Sequence, residues 1–195
     1  MPYQFQFLYK DTPQFQCSLK KGRCSYILPS TGEQCRRKQY IGFDVCFQHL
    51  AKAYNVRIAR TSLPNTQGKG LFAYKGSSSN HDIVFKPNDN IITYRGETVS
   101  ADDLEQRYGN KTAPYALQIS KTSFLDAGCE RGVGSFANHK SRSSANAKLS
   151  YFRGEVKIKA TKNIRNGDEI FVSYGDVYRL REEGVSHQTK YVRRV

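Results

Sequence analysis

Four side chains of the types that bind zinc lie close together in the first quarter of the chain. They follow the pattern C-x10-C-x10-C-x2-H and are Cys24, Cys35, Cys46 and His49. A structural zinc ion takes four sulfur or nitrogen ligands in a tetrahedron, so these residues would complete the coordination and leave no open position for catalysis. The alternative is a set of small apolar cysteines beside a surface histidine. The clustering of four ligands in one segment favours zinc, with Cys17 as a spare cysteine that could replace one of them.

A second group of residues suited to chemistry is spread over the rest of the chain in four short segments. Glycine, aromatic and polar residues recur in residues 68–73 (GKGLFA), 94–97 (YRGE), 136–139 (FANH, with Asn146 following) and 167–176 (GDEIFVSYGD). Glycines allow a backbone to approach a ligand closely. Each segment alone is also typical of an ordinary turn, strand end or polar loop.

In this order and spacing, the four segments resemble the SET domain. The motifs of that family are G-x-G, then Y-x-G-E, an Asp-Ala pair before an N-H pair, and G-(D/E)-E-(I/L)-x-x-x-Y-G. Asp126 and Ala127 fill the Asp-Ala position, and the resemblance covers residues 56–178. The ending SYGDVY is similar to the minimal SET domain of a chlorella virus. The chain departs from the family at Ser135 and Lys140, where Arg and Ser are frequent, and at residues 143–146 (SSAN), where C-x-P-N is frequent.

The resemblance implies a protein-lysine N-methyltransferase that uses S-adenosyl-L-methionine, with histone lysine as the expected substrate. It implies that Tyr174 is a catalytic residue bordering the cofactor, that Tyr115 is a second catalytic aromatic in the lysine channel, and that Tyr178 covers this channel. At Val172, relatives that stop at one or two methyl groups often have a bulky aromatic, so valine implies room for multiple methylation. The residues implied to bind the cofactor are Lys69, Gly70 and Leu71, through their backbone groups, and Asn138 and His139, at its polar ends.

The pattern of apolar and polar residues predicts a protein dominated by short strands. The predicted strands are 56–61, 70–74, 90–94, 115–119, 123–126, 147–152, 155–161 and 169–173. Ser100 and Asp103 have the spacing of a capping box, which predicts a helix over 101–108. The predicted fold class is mainly β with short helices, to which the family resemblance adds small sheets in a SET-like arrangement with a C-terminal pseudo-knot.

This interpretation divides the chain into four regions. Residues 1–16 are an N-terminal extension, 17–50 a small zinc-binding module, 56–178 the SET domain and 179–195 a basic C-terminal tail. No apolar run is long enough for a membrane span, and the start MPYQFQFLYKDT lacks the pattern of a secretory signal. We therefore expect a soluble intracellular protein without a membrane partner.

The charge balance leaves the partners open. There are 31 Lys+Arg against 17 Asp+Glu, a formal net charge of +14, which is typical of contact with a polyanion, although a solvated basic surface has the same signature. Two classes of function follow. The first is a methyltransferase of histone or other protein lysines with nonspecific DNA contact, in the nucleus or on chromatin, or in a host nucleus if the protein is viral. The second is a non-enzymatic protein that binds DNA or chromatin on a SET-like scaffold, and binding of S-adenosylmethionine would discriminate between them.

Overall fold

The computed structural model describes residues 22–39, 42–64, 68–76, 79–108, 113 and 115–174. The predicted N-terminal extension, the basic tail, Cys17 and Tyr178 lie outside these residues. Among the described residues, neither helix is long and apolar enough to cross a lipid bilayer.

Short strands make up most of the regular structure. The described helices are α1 (Phe47–Tyr54), α2 (Ala101–Tyr108) and one 3-10 turn (Val133–Phe136). The strands β1 to β12 are, in chain order, Val56–Arg60, Lys69–Ala73, Ile83–Phe85, Asn90–Tyr94, Glu97–Ser100, Ala116–Gln118, Ser123–Asp126, Asn138–His139, Ala147–Phe152, Glu155–Ala160, Ile164–Arg165 and Phe171–Val172.

Most of the predicted elements are confirmed. Helix α2 begins at the predicted capping box, where the Asp103 N–H donates to Ser100 Oγ at 3.1 Å and the Ser100 N–H donates to Asp103 Oδ2 at 2.9 Å. The predicted strand over 169–173 is shorter, because Glu169 makes only an isolated bridge to Phe72 before β12 begins. Helix α1 and strands β3, β5, β8 and β11 were not predicted. The mainly β fold class is confirmed.

The strands form several small sheets rather than one large sheet. Strands β1 and β2 form an antiparallel pair, β5, β7 and β6 form a three-stranded sheet, and β11 pairs with β3. The largest sheet has the order β4-β10-β9-β12-β8. Strand β12 is parallel to both of its neighbours in this sheet, whereas β4, β10 and β9 are antiparallel to one another. The site residues of β8 and β12 therefore lie at one edge of the largest sheet.

The cysteine-rich segment shares a hydrophobic core with the sheets. Phe43, Val45 and Leu50 belong to the same buried cluster as Leu71 and Val172. Helix α1 leads directly into β1, because Asn55 adopts a left-handed conformation with φ of 53° and donates its N–H to the Ala51 carbonyl at 3.0 Å. The packing of the predicted zinc module is therefore continuous with that of the sheets.

Residues 166–174 cross between β2 and the edge of the largest sheet, and we call this segment the chain crossing. On one side, the Ile170 N–H donates to the Leu71 carbonyl at 2.7 Å and the Ala73 N–H donates to the Asp168 carbonyl at 2.9 Å. On the other side, β12 pairs with β8 and β9. This arrangement brings residues far apart in sequence into one corner, where most of the predicted site residues lie.

Candidate functional site

The four predicted zinc ligands lie together in a small buried cluster. Cys24 and Cys35 lie on opposite arms of a hairpin, where the Cys24 N–H donates to the Arg37 carbonyl at 2.9 Å. Cys46 immediately precedes α1, and His49 lies in the first turn of that helix. The ligand atoms of all four residues lie within 4.8 Å of one another, and all four side chains are buried.

The spacing of these atoms fits a tetrahedral zinc ion. Metal–ligand distances of about 2.0–2.3 Å place a sulfur and a nitrogen ligand about 3.5 Å apart. His49 Nδ1 lies 3.4 Å from Cys24 Sγ and 3.6 Å from Cys46 Sγ. The geometry therefore identifies Nδ1 as the His49 atom that faces the metal position.

Backbone N–H groups and burial affect the thiols and the imidazole of this cluster. The Cys46 N–H donates to Cys24 Sγ at 3.2 Å, and the Arg37 N–H donates to Cys35 Sγ at 3.4 Å. Burial raises the pKa of the Cys24 thiol, but hydrogen bonds, led by that from the Cys46 backbone, outweigh it and bring the pKa below its ordinary value. Burial lowers the pKa of His49. Burial raises the pKa of the Cys46 thiol, so the shifts favour the deprotonated, zinc-binding form at Cys24 and His49 but not at Cys46.

The centre of the second site is the carboxylate of Glu169, in the chain crossing. Its Oε1 accepts hydrogen bonds from Thr61 Oγ1 at 2.7 Å and from Asn138 Nδ2 at 3.0 Å. Its Oε2 accepts from the backbone N–H and the hydroxyl of Ser62, both at 2.6 Å. A Cβ at Gly70 would lie 2.0 Å from Glu169 Oε1. Gly70 is therefore required by the packing of Glu169 against β2.

Two asparagines fasten the chain crossing to the sheet. The side-chain amide of Asn138 also donates to the Lys69 carbonyl at 3.1 Å, which ties β8 to β2. Asn146 holds the crossing through both ends of its amide, because Nδ2 donates to the Glu169 carbonyl and Oδ1 accepts from the Phe171 N–H, each at 2.8 Å. The polar residues of the motif therefore hold the backbone that leads to Tyr174.

Tyr174 lies just after β12 and contacts the segment around β8. Its N–H donates to His139 Nδ1 at 2.9 Å, and its hydroxyl donates to the Ala137 carbonyl at 2.9 Å. The rings of Tyr174 and His139 lie 5.3 Å apart. Both side chains are half-buried. The Tyr174 ring can therefore border a cleft while its two polar ends are anchored.

The buried Tyr94 lies near both Tyr174 and Tyr115. The hydroxyl of the buried Tyr94 donates to the Tyr115 carbonyl at 2.9 Å. Burial, followed by the proximity of Tyr174, Asp126 and Tyr115, raises the pKa of Tyr94 well above its usual range, so its phenol stays neutral. The structure thus brings the predicted channel residues Tyr115 and Tyr174 around one buried phenol.

The surroundings of this corner fit a cofactor that contacts both buried backbone and partly exposed polar groups. Gly70, Leu71 and Val172 are buried, and the Leu71 carbonyl already accepts a hydrogen bond from the Ile170 N–H. Lys69 is exposed, while Asn138, His139 and Tyr174 are half-buried. A partly open polar rim over a buried apolar floor is typical of small-molecule sites. The predicted cofactor residues therefore converge, whereas Tyr178 lies outside the described residues.

Sequence analysis missed three residues that organise the site. Glu169 and Asn146 were noted only as members of their motifs, although their hydrogen bonds join three distant segments. Arg131 was not identified, yet its Nη2 donates to the Tyr115 hydroxyl at 2.6 Å. Glu169 could have been noticed from its motif, because a glycine such as Gly70 in another motif leaves room for a side chain to pack against the backbone. No local pattern distinguishes Arg131 from the other arginines.

Comparison with known proteins identifies one matching family. A model described as the SET domain matches residues 68–175, more than half of the chain. A search of the curated proteins finds no significant match.

Solved structures of Polycomb Repressive Complex 2 are similar in fold. A structure of ctPRC2 in complex with H3K27me3 and H3K27M is 21% identical with a TM-score of 0.53, covering 71% of this chain and 16% of that chain. For ctPRC2 in an autoinhibited conformation bound to S-adenosylmethionine, the values are 24%, 0.49, 68% and 17%. For a humanized mutant of the Chaetomium thermophilum complex bound to the inhibitor GSK126, they are 26%, 0.49, 62% and 15%. The chain spans about a sixth of the length of these relatives, and the likeness is one of fold.

Proposed function

Because the chain belongs to the SET-domain family of methyltransferases, we propose that it methylates protein lysine side chains, with histone lysine as the substrate class to test first. S-adenosyl-L-methionine would be held at the corner formed by Lys69, Gly70 and Leu71 on β2, and by Asn138 and His139 on β8. Tyr174, Tyr115 and Tyr178 would line or cover the channel for the substrate lysine.

The observation that carries this proposal is the convergence of Tyr174 with β2 and β8 at the chain crossing. Tyr174 is anchored at both polar ends, at His139 Nδ1 and the Ala137 carbonyl. Asn138 joins this strand to Lys69 on β2. A site for methyl transfer needs the methyl donor and the acceptor amine in line, and positioning of this kind accounts for much of enzymatic rate acceleration.

In the proposed reaction, bound S-adenosylmethionine supplies a methyl group on a positively charged sulfur. The substrate lysine must present a neutral Nζ, although its reference pKa is about 10.4. Removal of the side chain from water disfavours the ammonium form. Tyr174 would orient the neutral amine through its hydroxyl oxygen, while the Tyr115 ring would support the aliphatic stem. The buried floor at Leu71 and Val172 would exclude water.

The zinc cluster is proposed to be structural in this mechanism. The three cysteines and His49 would occupy all four positions of a tetrahedral ion, so the metal would take no part in methyl transfer. Its function would be to hold the hairpin and the start of α1, whose residues pack into the core that includes Leu71 and Val172.

The experiment that tests the proposal is incubation of the full chain with radiolabelled S-adenosylmethionine and separated histones, followed by mass spectrometry of the labelled protein. We expect label on lysine residues of at least one histone. Calorimetry without substrate measures cofactor binding separately. Binding of the cofactor with no label on the histones would restrict the proposal to non-histone proteins, and absence of both binding and label would contradict it.

Nonspecific contact with DNA is a second candidate activity, favoured by the outer face of the largest sheet. Lys148 and Lys159 lie directly opposite each other on β9 and β10, and like charges in this position destabilise a sheet unless a counter-charge is present. We propose that this face contacts DNA phosphates, which would support a nuclear or chromatin location.

The test for DNA contact is the affinity for duplex DNA as a function of salt. Neutralising contacts with phosphates release counterions, so the logarithm of the binding constant should fall linearly with the logarithm of salt concentration. Replacing Lys148 and Lys159 together by Gln should reduce the slope by about two. Absence of binding at low salt would leave only a solvated basic surface.

A further inference from the structure

Arg131 contacts two aromatic residues beside the proposed lysine channel. Its Nη2 donates to the Tyr115 hydroxyl at 2.6 Å, and its Cζ lies 4.0 Å from the centre of the Tyr115 ring. The same Cζ also lies 4.9 Å from the centre of the Phe136 ring. Its Nε donates to Ser135 Oγ at 3.4 Å. These contacts restrain both the plane and the position of the guanidinium.

No carboxylate neutralises Arg131 within the part of the chain that the structure describes, where no acidic oxygen lies within 4.0 Å of it. The buried acid Asp126 is bound to Arg107 at 2.9 Å. Arg107 also contacts Glu97 at 2.7 Å. The positive charge of Arg131 therefore faces aromatic and hydroxyl groups, and it opposes the rise in the pKa of Tyr94 that burial causes.

The cysteine-rich segment packs closely against the backbone of Arg131. Gly42 has φ of +75°, and a Cβ there would lie 2.4 Å from the Arg131 carbonyl oxygen. Next to it, the edge of the Phe43 ring packs on Phe136, with centres 6.1 Å apart. The guanidinium is thus presented from a closely packed backbone rather than from a free loop.

We propose that Arg131 is a positioning residue of the lysine channel, which holds the Tyr115 hydroxyl and supplies a fixed positive charge that favours the neutral substrate amine. The inference rests on the proposed function, because it places Tyr115 in that channel. In this proposal the Arg131 guanidinium is a second cation near the substrate amine, in addition to the positively charged methyl donor.

The direction of the electrostatic effect follows from charge repulsion. A positive charge near an ammonium group lowers its pKa, so removing Arg131 should raise the pKa of the bound lysine amine. At a separation of about 8 Å and an effective dielectric constant of about 30, the change is about one pKa unit. The other ionisable groups around this position belong to several packed elements and are Tyr94, Tyr174, Asp126 with Arg107 and Glu97, Arg95, and Asp44 with Tyr54.

The test is the pH dependence of kcat for wild type, Arg131→Gln and Arg131→Lys, with Arg153→Gln as the control. Arg153 also stacks on an aromatic ring, with Cζ 5.0 Å from the centre of the Phe152 ring, but at an exposed turn. In the wild type, kcat should fall at low pH as the bound amine is protonated. The profile of kcat reports groups in the enzyme–substrate complex, whereas kcat/KM reports the free species.

We expect Arg131→Gln to move the acid limb of kcat to higher pH by about one unit. Arg131→Lys should keep the limb in place but lose rate, because a lysine cannot reproduce the fixed guanidinium plane. Tyr115→Phe should reduce kcat in wild type more than in Arg131→Lys, since the two residues act through one hydroxyl. The Arg153→Gln profile should match that of wild type.

An unshifted acid limb in folded Arg131→Gln would overturn the electrostatic role. If that variant fails to fold, Arg131→Lys and Tyr115→Phe decide the matter, and additive effects of these two changes would overturn the positioning role. An active wild type with either of these results refutes only the assignment of Arg131. A wild type that methylates no protein would instead refute the proposed function, and the inference with it.

Discussion

The backbone N–H of Tyr174 donates a hydrogen bond to His139 Nδ1 at 2.9 Å. The acceptor must be the unprotonated nitrogen of a neutral imidazole, so the histidine proton lies on Nε2. The phenol oxygen of the same tyrosine is fixed by the carbonyl of Ala137, two residues before His139. One short stretch of chain therefore sets both the backbone and the hydroxyl of Tyr174.

We predict that Tyr174→Phe reduces methylation by about 10²-fold or more, the scale for removing a positioned polar group at the transition state. The ring still packs, so the affinity for S-adenosylmethionine and the melting temperature should change little. Steady-state kinetics, calorimetry and thermal unfolding measure these quantities. Tyr151→Phe, at a 40% exposed tyrosine in β9, is the control and should retain full activity. Unchanged turnover in Tyr174→Phe would exclude it as a catalytic residue.

Purified protein should contain about one zinc ion per chain, as four protein ligands require. His49→Gln should lose this zinc, because Nδ1 lies within 3.6 Å of two of the sulfurs. Since the cluster shares the core with Leu71 and Val172, we also expect a lower melting temperature and lower methyltransferase activity. Elemental analysis, thermal unfolding and the histone assay measure these three effects.

His81→Gln is the matched control for the zinc experiment, because His81 is an exposed histidine outside the cluster. It should leave metal content and stability unchanged. Full zinc content in His49→Gln would refute the ligand assignment. Loss of zinc without loss of stability would show that the metal does not support the shared core.

We predict that Asp126→Asn destabilises the fold. Asp126 is fully buried and accepts hydrogen bonds from Arg107 at 2.9 Å, Tyr108 at 3.1 Å and the Gly128 N–H at 2.9 Å. Removing one charge of a buried pair typically costs about 3–5 kcal/mol. Because Arg107 is partly exposed and keeps its contact with Glu97, we expect about 2–3 kcal/mol here. Urea unfolding measures the change.

The control for this prediction is Glu155→Gln, which breaks the contact of an exposed carboxylate with Lys157. Exposed ion pairs contribute little, so the loss should be less than about 1 kcal/mol. Equal stability losses in the two variants would mean that the buried Asp126–Arg107 pair contributes no more to the free energy of unfolding than an exposed ion pair does.

The number of methyl groups transferred should depend on Val172. We expect wild type to add more than one methyl group and Val172→Tyr to shift the products towards monomethyl-lysine, because the larger side chain narrows the proposed channel. Val172 is 1% exposed, so overpacking should also cost about 1–3 kcal/mol. Mass spectrometry gives the product distribution.

Val99→Tyr separates these two effects, since Val99 lies in the other buried cluster, away from the chain crossing. It should destabilise the protein without changing the ratio of products. A wild type that makes only monomethyl-lysine would contradict the argument for Val172 without affecting that for Tyr174.

The fold could be predicted from sequence where local pattern determines structure. The capping box of Ser100 and Asp103 specified the start of α2, and alternating residues specified β9 and β10. Helix α1 was missed because it is only eight residues long and directly follows Cys46, which was interpreted as a zinc ligand in an irregular module. Strands β8 and β11 are two residues long and exist only through their partners, so no local signal could reveal them.

The candidate site, too, could be predicted only where a motif in the sequence indicated it. Motif order brought Tyr174, Asn138 and His139 into one hypothesis, and the structure brings them together. The partners of Glu169 and Arg131 could not be predicted, because their contacts join segments without any shared local pattern. Thr61 and Glu169, for example, are separated by 108 positions. Gly70 was assigned to cofactor contact, while the structure adds a packing reason for it in the carboxylate of Glu169.

The chain crossing also determines when the site can form during synthesis. A nascent chain that has emerged only to Ala160 contains β4, β9 and β10, whose antiparallel pairing needs nothing from later residues. It lacks Glu169 and Tyr174, and closing so long a loop costs entropy before its contacts stabilise it. We therefore expect the antiparallel part of the sheet, β4, β10 and β9, to assemble first, and the corner with β12 to form last. An incomplete chain on the ribosome can therefore be compact before the proposed site exists.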